Sequence, residues 1–304
     1  MNNSPAMQTI LAAVAEACSA ILEYYTVGSP LLEVAYKEDK TPVTQADVAA
    51  HQILEKCLLN VADLPVLSEE ASAEGFAKRS QWPAYWLVDP LDGTKEFIAG
   101  TDEFTVNVAL IVGGRSVLGV IAAPVTGSLY VGISQKTVAE RDVLARLMPE
   151  LTLGAYAVKA QVSDLTQKLV KWLPVATRLP AKPMIVLSSR SHHGLEANQY
   201  LVGLGGVETQ PVGSSLKMCL IAEGAADIYI RLGPTSEWDT AAAQAILEGA
   251  GGQLLDLGGV PLRYNQKASL LNPAFWASSE HFFMVAEKRQ IALKKSEFNT
   301  NNHQ

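Results

Sequence analysis

The chain has 304 residues, of which 48% are apolar, enough for a large core and about two subdomains. Its net charge of −7 and pI near 5.3 leave no general basic surface, which argues against a nucleic-acid partner. Three cysteines, Cys18, Cys57 and Cys219, are odd in number and widely spaced, which argues against a disulfide framework or zinc site and points to a reducing, cytoplasmic setting.

In chain order, Met7 to Tyr25 comes first. It is apolar, yet no Lys or Arg precedes Lys37, and Glu16 and Glu23 interrupt it. Ile10, Val14, Cys18 and Ile21 recur at helical spacing, which predicts a core-facing amphipathic helix over 7–25 and not a signal peptide. No other stretch approaches a membrane span. Next, Lys40-Thr-Pro-Val-Thr44-Gln-Ala-Asp47 leads into a helix expected over 47–59. Pro65-Val-Leu-Ser-Glu69-Glu70 is a short apolar stretch running into two carboxylates, and neighbours on a strand point to opposite faces, so one of the pair can face a site.

The most informative segment follows. A strand over 84–89 ends in Asp89-Pro90-Leu91-Asp92-Gly93-Thr94. Pro90 fixes one dihedral, Gly93 can take a φ that other residues avoid, and Thr94 stands where a helix over 95–99 can begin. Two carboxylates and a hydroxyl then share one small space. Hard oxygen ligands suit Mg²⁺ better than zinc, and free amides at a helix start suit a phosphate. Read alone, the segment suits an Asx turn or N-cap equally well.

Further strands are expected over 104–112, 116–123, 128–133, 184–188, 226–231 and 276–279, and further helices over 194–203, 214–224 and 239–250. Asp239 precedes the last of these helices, where an N-cap also belongs, and Asp47 carries the same ambiguity. Within 135–180, Thr137–Glu150 and Leu165–Trp172 suit short extra helices, as a surface elaboration, a cap on the site or a dimer contact. The tail over 287–304 is polar and expected to fray.

Several strings together resemble one family. They are Lys40–Asp47, Val66-Leu-Ser-Glu-Glu70, Tyr85–Phe97, Glu103-Phe-Thr-Val-Asn107, Ser189-Arg-Ser-His192 and Gly213-Ser-Ser-Leu-Lys217. Ala222-Glu-Gly224, Gly233-Pro-Thr235, Trp238-Asp-Thr-Ala-Ala242 and Leu270-Leu-Asn-Pro273 complete the set. In this order, from about Ala12 to Phe283, they resemble the inositol monophosphatase-like superfamily of Mg²⁺-dependent, lithium-sensitive phosphatases, and within it the bacterial 3'(2'),5'-bisphosphate nucleotidases.

The resemblance implies an α+β fold, a layered αβαβα sandwich of two subdomains over 1–150 and 151–286, with the site between them. It implies two or three Mg²⁺ ions held by Glu69, Asp89, the carbonyl of Leu91, Asp92 and Asp239. Leu91, Asp92, Gly93, Thr94 and Asp239 would meet the substrate phosphate, and Ser191, His192, Gly213, Ser215 and Lys217 the nucleotide. Thr94 and Glu69 would position the attacking water, with Asp47 orienting the Thr94 hydroxyl. The implied substrate is adenosine 3',5'-bisphosphate, formed in sulfur assimilation. Peripheral association with the inner membrane is also suggested for relatives.

Two other functions stay open at this point: an inositol-1-phosphatase or broad sugar phosphatase on the same scaffold, and a non-catalytic nucleotide or metal sensor. One departure is Ala243, where the family usually has glycine.

Overall fold

The computed structural model describes residues 4–25, 34–36, 42–72, 74–134, 138–148, 156–166, 171–190, 206–279 and 282. Helix α1 (Pro5–Tyr24) starts where Ser4 Oγ accepts from the Met7 N–H at 3.3 Å. It is long and apolar enough to cross a membrane by length and composition. Yet Met7, Ile10, Val14, Cys18 and Ile21, at helical spacing, are buried inside the fold, as expected for a core-facing helix. A hairpin of β1 (Val34–Tyr36) and β2 (Pro42–Thr44) leads into α2 (Gln45–Val61), which packs on α1.

The chain then builds a sheet. Strand β3 (Val66–Ser68) runs parallel to β4 (Ala84–Asp92), with the short α3 (Phe76–Arg79) between them and α4 (Thr94–Ala99) after. Strands β5 (Thr105–Val112), β6 (Arg115–Ala122) and β7 (Ser128–Ile133) follow. Helix α5 (Val138–Leu147), β8 (Tyr156–Gln161) and β9 (Leu173–Pro174) complete this half. The seven strands pair in chain order, antiparallel after the first pair.

A second sheet has the order β11-β10-β12-β14-β13. Its strands are β10 (Met184–Ser189), β11 (Val207–Val212), β12 (Ile228–Arg231), β13 (Gly252–Asp256) and β14 (Phe275–Ser279). Helices α6 (Leu216–Ala222) and α7 (Glu237–Gly249) flank β12 in sequence.

Side-chain alternation assigns the layers. Trp86, Val88, Val108, Leu110 and Val120 face α1 and α2. Their neighbours Tyr85, Leu87, Ala109, Ile111 and Ile121 face α6 and α7, and the same core reaches Leu187, Tyr229, Phe275 and Ala277 of the second sheet. Met184, Val186, Ile228, Ile230 and Trp276 form a third apolar cluster on its far face, with Phe282. Strands covered on both faces read as continuous apolar runs, which is why β4 to β7 were legible. The helix expected over 194–203 lies outside the described residues. The order helix, sheet, helix, sheet, with a covered far face, is the α+β layered sandwich expected from the sequence.

Helix α7 lies directly on the large sheet. A Cβ at Gly119 would stand 2.0 Å from the Ala242 carbonyl oxygen, and one at Gly132 would stand 2.2 Å from Ile246 Cα. This contact fixes where the N-terminus of α7 points. Ala243 is 1% exposed in the same layer, so its extra methyl is accommodated.

The sequence did not predict β1, β2, β8, β9, β11, β13 or α3. Several are too short to show a period. In β11, Val207 to Pro211 are exposed at a sheet edge, so burial leaves no apolar signature there. The extra helix expected within 137–150 is α5. Of that expected over 165–172, the structure shows a 3₁₀ turn at Val162–Thr166, and 167–170 lie outside the described residues.

Candidate active site

Parallel pairing brings the first two carboxylates together. Ser68 pairs with Val88, and the Glu69 N–H donates to the Val88 carbonyl at 3.1 Å. Glu69 and Asp89 therefore emerge side by side at the carboxyl ends of β3 and β4. The register of β4 breaks between Asp89 and Asp92, at Pro90, so the strand runs on to Asp92 and does not stop at Asp89 as expected. Asp89 Oδ1 accepts from the Leu91 N–H at 3.1 Å. Gly93 then adopts φ +96°, where a side chain is strained, and a Cβ there would meet the Glu103 carbonyl oxygen at 3.1 Å. Thr94 opens α4, whose first bond runs from the Phe97 N–H to the Gly93 carbonyl at 2.8 Å, so earlier amides lack helical partners.

Two longer helices aim their N-termini at this turn. Asp47 and Asp239 each suited an N-cap from sequence, but both sit at the third helical position. The caps are Thr44 and Ser236, because each side chain here closes a capping box. Asp47 Oδ2 accepts from the Thr44 N–H at 2.8 Å and the Thr44 hydroxyl at 2.6 Å. That leaves Asp47 Oδ1 to accept from the Thr94 hydroxyl at 3.2 Å. Asp239 Oδ2 accepts from the Ser236 N–H at 2.9 Å. One oxygen of each carboxylate holds its own helix start, and the other is available to the site. Glu69, Asp89 and Asp239 each bring a carboxylate oxygen within 4.8 Å of the others. They line a cavity of about 580 Å³ together with Leu91, Asp92 and Thr94.

Burial raises the Asp89 pKa well above the usual carboxylate range, and the charges of Glu69, Asp92, Asp239 and Asp47 raise it further. Asp239 is raised in the same way, by burial first and then by Asp92 and Glu69. Burial pushes Asp92 up to about 6, against the opposing pull of Lys217 and the Ser215 N–H. Crowded, buried carboxylates of this kind are neutralised by protons or by a cation, and an all-oxygen donor set fits a hard divalent ion.

A pH dependence follows. The folded carboxyls hold their protons to higher pH than unfolded ones, which titrate near ~4. Metal-free stability therefore falls as pH rises through the window from about 4 to beyond 6. A divalent cation such as Mg²⁺ would compete with protons for these oxygens. At about 100 times its Kd, Mg²⁺ should raise Tm by roughly 4–8 °C near pH 7.5 and by little near pH 5. Thermal melts with Mg²⁺ and with EDTA at the two pH values check this, and equal shifts at both would contradict it.

Other expected site residues have different partners. Asp92 lies beside the three clustered carboxylates, with Oδ2 accepting from the Ser215 N–H at 2.6 Å and Asn107 Nδ2 at 3.3 Å. Ser215 Oγ bonds Thr105 Oγ1 at 2.8 Å and Asn107 Oδ1 at 2.9 Å, so Ser215, an expected nucleotide contact that lines the cavity, also holds Asp92. Gly213, another expected nucleotide contact, is outside the cavity lining. Its N–H donates to Glu103 Oε2 at 2.7 Å, and a Cβ there would stand 2.6 Å from the Glu103 carbonyl oxygen. Lys217 is buried and donates to the Val212 and Ser214 carbonyls at 3.1 and 2.6 Å, over the Tyr229 ring. It lines the cavity but also braces the loop that carries Ser215, so removing it would disturb Asp92 as well as any ligand. Ser191 and His192 lie outside the described residues. Arg190 forms a bidentate pair with Glu103 at 2.7 and 2.6 Å.

Arg231 also lines the cavity and had no expected role. Arg231 ends an apolar strand, where a lone charge was the available signal, and donates to the Gly233 and Pro234 carbonyls at 3.2 and 2.9 Å.

Comparison with known proteins gives consistent results. The model of the inositol monophosphatase family matches residues 2–292. The chain is 43% identical over 260 residues to a 3'(2'),5'-bisphosphate nucleotidase CysQ of Shigella flexneri, covering 85% of this chain and 94% of that protein. It is 36% identical over 262 residues to the protein of that name from Haemophilus influenzae, covering 84% and 85%. The crystal structure of CysQ from Bacteroides thetaiotaomicron superposes with a TM-score of 0.70 at 36% identity, covering 90% of this chain and 97% of that one. Family model, sequence relatives and fold agree with the carboxylate cluster at the end of β4: this chain belongs to the inositol monophosphatase family.

Proposed function

We propose that the chain is a Mg²⁺-dependent 3'(2'),5'-bisphosphate nucleotidase that converts adenosine 3',5'-bisphosphate and water to AMP and phosphate. The observation that carries the reading is the convergence of Glu69, Asp89 and Asp239 in a cavity that Thr94 also lines. The likeness to the nucleotidases named above supports the substrate.

Glu69, Asp89, the Leu91 carbonyl, Asp92 and Asp239 would hold the metal ions. When bound, the ions neutralise the carboxylates, lower the pKa of water and offset charge on the phosphoryl group. The residues supply the positioning. The capping box fixes Asp47 Oδ2, so Oδ1 holds the Thr94 proton and turns the Thr94 oxygen lone pairs toward the cavity. Thr94 Oγ and Glu69 then accept from the attacking water and align it with the phosphorus. The water oxygen bonds to phosphorus, the bond to the 3'-oxygen breaks, and that oxygen takes up the proton that the attacking water gives up. The amides of Gly93 and Thr94 hold the phosphate oxygens.

Free thiols at Cys18, Cys57 and Cys219, and the inward face of α1, support a cytoplasmic setting. Incubation of purified protein with adenosine 3',5'-bisphosphate and Mg²⁺ should release one phosphate and leave AMP. Excess EDTA should abolish turnover, and full turnover in EDTA would overturn the metal mechanism.

A further inference from the structure

We infer that Asn272 is a positioning residue of the metal centre and acts through the start of α7. This inference rests on Asp239 being a metal ligand. Asp239 reaches the cluster only if the turn Thr235–Ser236 and the first turn of α7 keep their geometry, because its Oδ2 is held by the Ser236 N–H. That turn is buttressed from outside the helix by residues 270–272. The Glu237 N–H donates to the Leu270 carbonyl at 2.8 Å, Ser236 bridges Leu271, and the Asn272 N–H donates to the Thr235 carbonyl at 2.8 Å.

The Asn272 side chain adds the contact at the bend itself. Its Nδ2 donates to the Ser236 carbonyl at 2.6 Å and stands 3.1 Å from both Thr235 Oγ1 and Thr240 Oγ1. One amide thus ties together the residue before the cap, the cap and the residue after Asp239. The segment that carries Asn272 is itself anchored. Buried Arg79 donates to Asn265 Oδ1, to the Lys267 carbonyl at 3.0 Å and to the Ala268 carbonyl, and its own carbonyl accepts from Asn265 Nδ2 at 2.6 Å. Arg79 lies in α3, on the connection that leaves Glu69. The strut formed by Arg79, residues 265–268 and Asn272 therefore joins α3 to the start of α7.

Residues behind a metal ligand fix its orientation, and their loss weakens affinity about 10- to 100-fold. The test is Mg²⁺ binding by titration calorimetry on nucleotide-free protein, with melting in EDTA alongside. The comparator is Arg178→Ala, which breaks the bidentate pair with Asp227 away from the cavity. Asn272→Ala should weaken Mg²⁺ binding about 10- to 100-fold. Arg178→Ala should lower Tm and leave Mg²⁺ affinity unchanged.

Should Asn272→Ala fail to fold, Asn272→Ser, which keeps a small polar group but lacks Nδ2, is measured in its place. Mg²⁺ affinity within about threefold of wild type in a folded Asn272 variant, alongside a loss of Tm like that of Arg178→Ala, would overturn the inference. Wild type that binds no Mg²⁺ would overturn instead the ligand assignment on which it rests.

Discussion

Asp89→Asn and Asp239→Asn should each lower kcat/KM by at least ~1,000-fold, which is about 4 kcal/mol of transition-state stabilisation. Asparagine keeps the size of the side chain, and its oxygen can still accept from the Ser236 N–H or the Leu91 N–H, as Asp239 and Asp89 do. What it removes is one negative charge from a buried group of like charges. The same change should leave Tm in EDTA unchanged or raise it, since burial and repulsion among Glu69, Asp89, Asp92 and Asp239 are relieved. The Mg²⁺-induced rise in Tm should disappear. This opposite movement of activity and metal-free stability separates a ligand from a helix cap. A residue that only closes the capping box would keep its activity, because asparagine can still accept from the Ser236 N–H, and near-normal activity would return Asp239 to a purely structural role.

Thr94→Val should lower kcat by about 100- to 1,000-fold with little change in KM, the range for loss of a group that aligns a proton in the transition state. Valine matches threonine in shape, so α4 and Gly93 keep their positions. The lost atom is the hydroxyl held by Asp47 Oδ1 at 3.2 Å and by the Leu91 carbonyl at 3.3 Å. Thr94→Ser restores the hydroxyl and should recover most of the rate. Asp47→Asn tests the other end of the same bond and should cost less, because the Thr94 oxygen remains. Near-normal kcat in Thr94→Val, measured by phosphate release at saturating Mg²⁺, would remove Thr94 from the reaction.

Much of the site was legible because its local chemistry is written in short strings. Asp89-Pro-Leu-Asp-Gly-Thr94 encodes a strand end, a break, a left-handed glycine and a helix start, and the structure has each of them, with the strand ending at Asp92 and not at Asp89. The layered fold was legible from doubly buried strands such as Thr105–Val112 and from the 3.6-residue period of α1. Partner choice was not legible. Lys217 was expected to meet the nucleotide, yet the folded chain also binds it to the Val212 and Ser214 carbonyls, and pairs the cation Arg190 with Glu103. The side chain's type is visible in sequence; the acceptor it meets across the fold is not. The strut from Arg79 to Asn272 spans distant parts of the chain, and no local pattern announces it. Nor did sequence distinguish an N-cap Asp from one at the third position. The difference lies in whether Thr44 and Ser236, three residues earlier, close the box.

The most direct test of the nucleotidase assignment is the ratio of kcat/KM for adenosine 3',5'-bisphosphate to that for inositol 1-phosphate at saturating Mg²⁺. The carboxylates and Thr94 serve any phosphate monoester, so selection must come from polar groups in the rest of the cavity. A smaller substrate leaves such groups unpaired, and this supports a ratio of at least ~100. Comparable values for the two substrates would contradict the account and assign the chain to the inositol phosphatases of its family.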